Sequence, residues 1–291
     1  VQGGISRISD KMAEIAEQEG AEVRLNSCVR EVLSEGWETS GVLLESGEVI
    51  KADAVVLNAD YGHAATRLLN GHNVSEEKMR RKGFSCSTFM LYLGLDKLYG
   101  DETHHQILFA NDYHRNVNEI QEERTVSQDM SIYVRNSSIT DPLVAPKGHS
   151  NLYVLVPTIN TRHEIDWAGM QAAYRDKVLD RIVAQTGMKD LRDHIVEERI
   201  ITPQNWEEDG SIFMGATFNL KHTLNQLLYL RPHNRYSKFR NLYLTGGGTH
   251  PGSGLPTIYE SARISSNLIS EQFGSTYEPV DLTTPVLEAS R

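Results

Sequence analysis

The chain has 291 residues, of which 39% are hydrophobic and 23% charged, with a formal net charge of −10. That length allows one large or two ordinary domains with a substantial core, and the composition is that of a soluble globular protein. The acidic balance argues against a nucleic-acid partner, which needs a basic field, and no apolar run is long enough to cross a bilayer.

With no signal peptide in view, the expected location is cytoplasmic, and a local patch could still meet a membrane surface. Cys28 and Cys86 lie far apart without CxxC spacing and read as two reduced thiols. The eleven histidines are scattered, and the pair His104-His105 lacks the partners of a metal site. A homo-oligomer is left open.

The chain opens at Val1-Gln2-Gly3-Gly4, without an initiator methionine. Ile5, Ile8, Met12, Ile15 and Ala16 at helical spacing predict a helix stopped by Gly20. Strands are expected at 22–25, 29–34 and 39–45, with a turn at Ser46-Gly47 into Val49-Ile50 and a buried strand over 53–57. Helices follow at 61–69 and 75–82.

From Ser85 the pattern becomes β-rich, with strands predicted at 88–95, 106–109, 130–135, 151–157 and 195–202. Between them lie a polar helix over 113–124 and a long helix over 166–185, with Asp166 as its N-cap and Val178, Ile182 and Val183 inward. In Ser138-Ile139-Thr140-Asp141-Pro142, Asp141 reads as a turn former ahead of the proline. The stretch 213–230 is rich in large apolar residues, from Phe213 and Met214 to Leu227 and Leu228, and reads as core or as an apolar entrance at a membrane surface.

The segment 241–269 is the strongest signal. Leu242-Tyr243-Leu244 reads as a buried strand ending at Gly246, Gly247 and Gly248, and Thr249-His250-Pro251-Gly252 as a turn. After Gly254 and Leu255, Pro256 opens a helical pattern in which Ile258, Ala262, Ile264, Leu268 and Ile269 share a face. Strand, glycine loop and helix together allow close approach of a phosphate or ring to the backbone, with the helix start attracting an anion. An ordinary strand-to-helix connection reads the same way. Beyond Gly274 an extended end is expected.

The order strand, G-G-G-T-H-P-G-x-G-x-P, helix, preceded by Arg231-Pro232-His233-Asn234-Arg235, resembles the C-terminal flavin-binding segment of bacterial carotenoid desaturases of the phytoene-desaturase type. These belong to the FAD-dependent amine oxidases and related flavoproteins, and the resemblance runs from the first residue to about Phe273. It implies a mixed α/β fold, the C-terminal part of a two-domain FAD flavoprotein. Residues 1–84 would be the second half of the FAD domain, 85–236 a substrate domain and 237–273 the final FAD-binding strand, loop and helix, with 274–291 as a tail. It further implies that Val29 meets the adenine through its backbone, and that Asn58, Ala59 and Asp60 lie near the pyrophosphate. Gly246, Gly247, Gly248, Thr249, His250, Gly254, Leu255 and Pro256 would complete the cofactor site. For Val29 plain sheet packing is the alternative, and for His250 a loop-stabilising role.

Relatives begin with a strand, GxGxxG and helix unit that is not in this sequence, so a C-terminal portion that binds FAD weakly or not at all is expected. The chemistry implied is removal of two hydrogens from an allylic carbon pair of a polyene lipid. The protons there are too weakly acidic to leave first, so hydride loss to flavin leads or is concerted, and the allylic cation then needs only a weak base. Asp141, in a segment similar to a T-D segment of the family, is the candidate, with a pKa raised by an apolar tunnel. A carotenoid cis-trans isomerase of the same family and a non-catalytic lipid-binding module remain alternatives.

Overall fold

The structure is a computed structural model and describes residues 1–122 and 125–275. Helix α1 (Ser6–Gln18) forms as its spacing predicts, yet none of its residues is buried, and Ile5, Met12 and Ile15 face outward. The strand expected at 22–25 is absent. Val23 and Leu25 are exposed there, Arg24 is held by Glu22 and Glu48, and no described strand lies alongside to complete a ladder.

Strands β1 (Val29–Glu35), β2 (Glu38–Leu44) and β3 (Val49–Lys51) form an antiparallel sheet in sequence order. β4 (Val55–Leu57) pairs instead with β10 (Leu242–Leu244), in parallel, Val55 opposite Leu242 and Leu57 opposite Leu244. Asn241 joins the two sheets. Its side chain accepts from Thr39 N at 2.7 Å and donates to Thr39 O at 2.8 Å and Asp53 O at 2.7 Å. After β4, the single helix expected over 61–69 is a short α2 (Tyr61–His63) running into a π-helical turn, Ala64–Leu68. Helix α3 (Glu76–Arg80) follows, capped by Ser75.

The second region is a five-stranded antiparallel sheet, β6-β7-β8-β5-β9, made of β5 (Ser87–Leu95), β6 (His105–Leu108), β7 (Ile132–Asn136), β8 (Ser150–Thr158) and β9 (Ile195–Ile201). Helix α4 (Tyr113–Glu122) follows β6, and Arg124, the expected end of that helix, lies outside the described residues. Helix α5 (Trp167–Gln185) covers one face; the Asp166 carboxylate caps it by accepting from Gly169 N at 2.8 Å. Alternation makes this packing possible: Phe89, Leu91, Leu93 and Leu95 of β5 and Leu152, Val154 and Val156 of β8 face Val178, Leu179 and Ile182 of α5. The opposite face carries a row of rings across four strands, with centroid separations of 5.5 Å for Tyr92 and Tyr153, 6.1 Å for Tyr153 and Tyr133, and 5.9 Å for Tyr133 and His105. The Arg135 guanidinium lies over Tyr153.

Helix α6 (Pro203–Glu208) starts in a reciprocal capping box between Thr202 and Asn205. Phe213, Met214 and Leu220 then pack with Ala65, Met79 and Phe84 rather than with the five-stranded sheet. Helix α7 (Leu255–Phe273) ends at Gly274 in the left-handed conformation, and the expected tail from residue 276 onward lies outside the described residues. No helix among the described residues is long and apolar enough to cross a membrane.

Candidate functional site

Because β4 and β10 run parallel, their carboxyl ends lie side by side, and two loops leave the same edge: Asn58-Ala59-Asp60 and Thr245-Gly246-Gly247-Gly248. Thr245 N donates to Leu57 O at 3.0 Å and keeps the loops in register. This is the edge where open α/β sheets bind ligands. Helix α7 begins from Gly254 and points its first amides back toward the edge; Leu255 and Thr257 supply them, since Pro256 has none. Gly246, Gly252 and Gly254 hold φ of 103°, 154° and 103°, a region that side chains rarely adopt. At Gly248 a different force acts from the ligand approach expected of these glycines. A Cβ there would lie 2.4 Å from Tyr61 Cβ and 2.5 Å from Asn219 Oδ1, so the protein's own chain occupies the space.

A cavity of about 390 Å³ lies between these segments, lined by Asp60, Asn219, Gly247, Ser253 and Leu255, with Phe218 and Ile258 as apolar walls. Asp60 closes one side. Its Oδ1 accepts from His63 N at 2.9 Å and Phe213 N at 3.2 Å, and its Oδ2 accepts from the Asn219 side-chain amide. Burial pushes this carboxyl above its usual range, with the His63 and Phe213 amides pulling the other way. Thr217 also lines the cavity, and its hydroxyl is buried without a partner.

The R-P-x-N-R run proves to be the scaffold of the site. Arg231 is almost fully buried, and its guanidinium donates only to carbonyls: Gly247 O at 2.7 and 3.1 Å, Gln226 O at 3.0 Å and Leu220 O at 3.0 Å. Asn234 donates to Leu244 O at 3.3 Å and to Ser261 and Ser265 on α7 at 3.0 to 3.1 Å, pinning helix to strand. The motif itself was visible in the sequence; that its arginine and asparagine bind main chain was not.

Thr249 is buried and its amide donates to Gly246 O at 3.1 Å. His250 donates from its backbone to Pro232 O at 2.8 Å, its Nδ1 is buried without a partner, and its side chain lines another cavity, of about 1010 Å³, with Trp37, Arg235 and Ile264. Asn58 and Ala59 are exposed at the strand end, with Asn58 Oδ1 beside Gly246. Val29 begins β1 opposite Leu44 and lines a third cavity with Arg24 and Ile50.

Asp141 sits in yet another cavity, of about 410 Å³, with His104, Arg135 and Ile8. Its carboxylate accepts from Leu143 N at 3.0 Å and Gly3 N at 2.6 Å. The Leu143 amide above all holds its pKa below the usual range, which reverses the raised value expected of an apolar tunnel. The structure therefore brings Asp60 to the glycine loop and places Asp141 and Val29 in separate cavities. Among the described residues no cluster of His, Cys, Asp and Glu forms a metal site.

The sequence profile of flavin-containing amine oxidoreductases matches residues 1–270. The chain belongs to that family. It is 48% identical over 275 residues to a 4,4'-diapophytoene desaturase (4,4'-diapolycopene-forming) of Methylomonas sp, covering 94% of this chain and 54% of that protein. It is 41% identical over 294 residues to an all-trans-zeta-carotene desaturase of Myxococcus xanthus, covering 99% and 55%. Among solved structures, an oxidoreductase from Methanosarcina mazei superposes with a TM-score of 0.60 at 13% identity, covering 91% of this chain and 55% of that one. Putrescine oxidase bound to putrescine gives 0.58 at 12%, covering 92% and 53%. These likenesses establish the fold, and the chain spans about half the length of the curated relatives it matches.

The residues present fit the family's flavin. Gly247 of the glycine loop, Gly254 and Leu255 at the start of α7 and the unpartnered Thr217 hydroxyl line one cavity whose walls include Phe218 and Ile258.

Proposed function

We propose that the full-length protein is an FAD-dependent desaturase of a carotenoid precursor. The observation that carries this reading is the 48% identity, across 94% of the chain, to a protein named as a diapophytoene desaturase. The cavity supports it: Gly247 and the α7 amides would hold FAD, and when bound FAD would supply the hydride acceptor. Phe218, Leu255 and Ile258 give the cavity an apolar wall against which a polyene would lie. The ring row of Tyr92, Tyr153 and Tyr133 supplies aromatic surface on the open side of the five-stranded sheet, against which a polyene would lie by apolar contact.

Two carboxylates compete to accept the proton. Asp141 is carried over by resemblance and is held ionised, a weak base at neutral pH. Asp60 lines the glycine-loop cavity, and burial makes it the more basic of the two. In full-length, flavin-loaded protein the base should show itself as a loss of turnover of ~10² to 10⁴ on Asp→Asn substitution, with bound FAD unchanged. Turnover is read from the absorption of product formed from a colourless polyene. Intact turnover in both Asp60→Asn and Asp141→Asn would remove a protein base from the reaction, and no absorbing product from wild type would remove the desaturase reading.

The 291-residue chain alone should purify without flavin, because it carries no GxGxxG unit and spans about half the length of the relatives it matches. The water-insolubility of a polyene supports peripheral membrane contact.

A further inference from the structure

The apolar stretch from Phe213 to Leu230 divides in two. Phe213, Met214 and Leu220 are buried, whereas Leu224 (88% exposed), Leu228 (57%), Tyr229 (74%) and Leu230 (64%) stand outward on two successive 3-10 turns, Leu224–Gln226 and Leu228–Leu230. Bracing from below fixes the loop. Gln226 donates to Gly83 O at 2.8 Å, and Arg231 reaches Gln226 O and Leu220 O, each at 3.0 Å. Leu228 is held at φ 49°, a conformation a leucine keeps only where its surroundings impose it. Four large apolar side chains within seven residues, on a braced loop, form the kind of patch that marks an interaction surface.

Charge selects the occupant. Between Asp209 and Glu260 the sequence has no carboxylate but carries, besides the buried Arg231, Lys221, Arg235, Lys238 and Arg240, in a chain of net charge −10. Arg81 and Lys82 line the same cavity, of about 440 Å³, as Thr223 and Leu230. A loop of seven residues is small beside the roughly 20 residues per side of a stable protein interface. It is sufficient for insertion at the boundary between headgroups and acyl chains, where leucines enter the apolar layer and cations meet phosphates.

We propose that the loop Leu224–Leu230 docks the protein on an anionic phospholipid bilayer, with Lys82, and Arg81 in exchange for its exposed pair with Glu77, against the lipid phosphates. Its purpose, delivery of a polyene from the bilayer, rests on the desaturase reading. Arg231 links the docking loop directly to the glycine loop, through Gly247 O.

The test is flotation of full-length protein with phosphatidylcholine vesicles, with and without phosphatidylglycerol. Wild type should float with the anionic vesicles and lose binding as salt rises. Leu224→Asp with Tyr229→Asp, and separately Arg81→Glu with Lys82→Glu, should each lower vesicle affinity at least about tenfold while circular dichroism is unchanged. Should the aspartates unfold the loop, Tyr229→Trp keeps the question open to measurement, since the fluorescence of the introduced indole should shift to the blue on anionic vesicles. Equal flotation of wild type and a folded double variant overturns the proposal, as does an emission from the Tyr229→Trp protein that lipid leaves unmoved. Self-association of wild type without vesicle binding also overturns it and gives the face to a second copy. Turnover of detergent-dispersed polyene is measured separately. Turnover without flotation removes the docking loop and leaves the desaturase, while flotation without turnover does the reverse.

Discussion

The five-stranded sheet and the β4–β10 pair reach their cores by different routes. Every buried residue of the first core comes from one continuous stretch, Phe89 to Leu191, folded by antiparallel neighbours and covered by α5. The second core joins Val32, Val55 and Leu57 to Phe239, Leu242 and Leu244 from near the other end of the chain, while α1 leaves its apolar residues uncovered. One region is closed by its own sequence neighbourhood, and the other by a few long-range bonds. The candidate cofactor edge lies with the second, where parallel strands put two loop ends and a helix start on one edge.

The largest expected effect falls on the clamp that holds the glycine loop of the second region. Arg231→Met keeps bulk but leaves the carbonyls of Gly247, Gln226 and Leu220 without this donor, and at ~1 to 3 kcal/mol for each buried unsatisfied group the cost is about 4 kcal/mol. Urea unfolding of full-length protein measures it, with flavin release before global unfolding; a loss below about 1 kcal/mol would show that Arg231 is not the clamp.

A crossed pair sharpens the contrast. Leu91→Ala, in the continuous core, should cost about 3 kcal/mol and strip exchange protection from the Leu91 and Val154 amides. Asn241→Ala removes three side-chain bonds, two of them buried, and should cost about 2 kcal/mol, exposing Val55 and Thr39 while β5 and β8 stay protected. If both variants release both regions together, the two behave as one cooperative unit and the contrast fails.

The smallest effect is a titration. Asp60 should protonate above the ordinary aspartate pKa of 3.8 and Asp141 below it, as read by carboxyl carbon shifts. The sign for stability follows: a raised folded pKa gives Asp60 a contribution that is full below pH 3.8 and lost as pH rises through its folded value. The depressed value of Asp141 gives the reverse, a contribution present above 3.8 and lost on acidification through its folded pKa. Midpoints in the opposite order would exchange the two acids in the proposed reaction.

Much of this organisation was legible in the sequence where periodicity reports burial directly. β5 and β8 alternate, α5 carries its Asp166 cap, and α7 sits between Pro256 and Gly274, so these elements fall within a few residues of their expected places. The rest depends on partners that a local pattern does not contain. Residues 22–25 have strand composition and no neighbour to pair with among the described residues. Asp60 looks like an ordinary strand-end acid until Phe213 and Asn219, more than 150 positions away, close on it. Gly248 reads as a ligand-approach glycine, and only Tyr61 and Asn219 reveal the packing that requires it.

The bond between Asn241 and Thr39 ties positions 202 apart, which orders events during synthesis as well as in the finished molecule. Loop closure over that span comes late relative to hairpins such as β1 with β2, whose partners emerge together. The five-stranded sheet can assemble on the ribosome, whereas β4 must wait, edge exposed, until β10 has been made. The glycine-loop cavity therefore forms after the five-stranded sheet, and a cofactor has nothing to bind there until translation has passed Leu255.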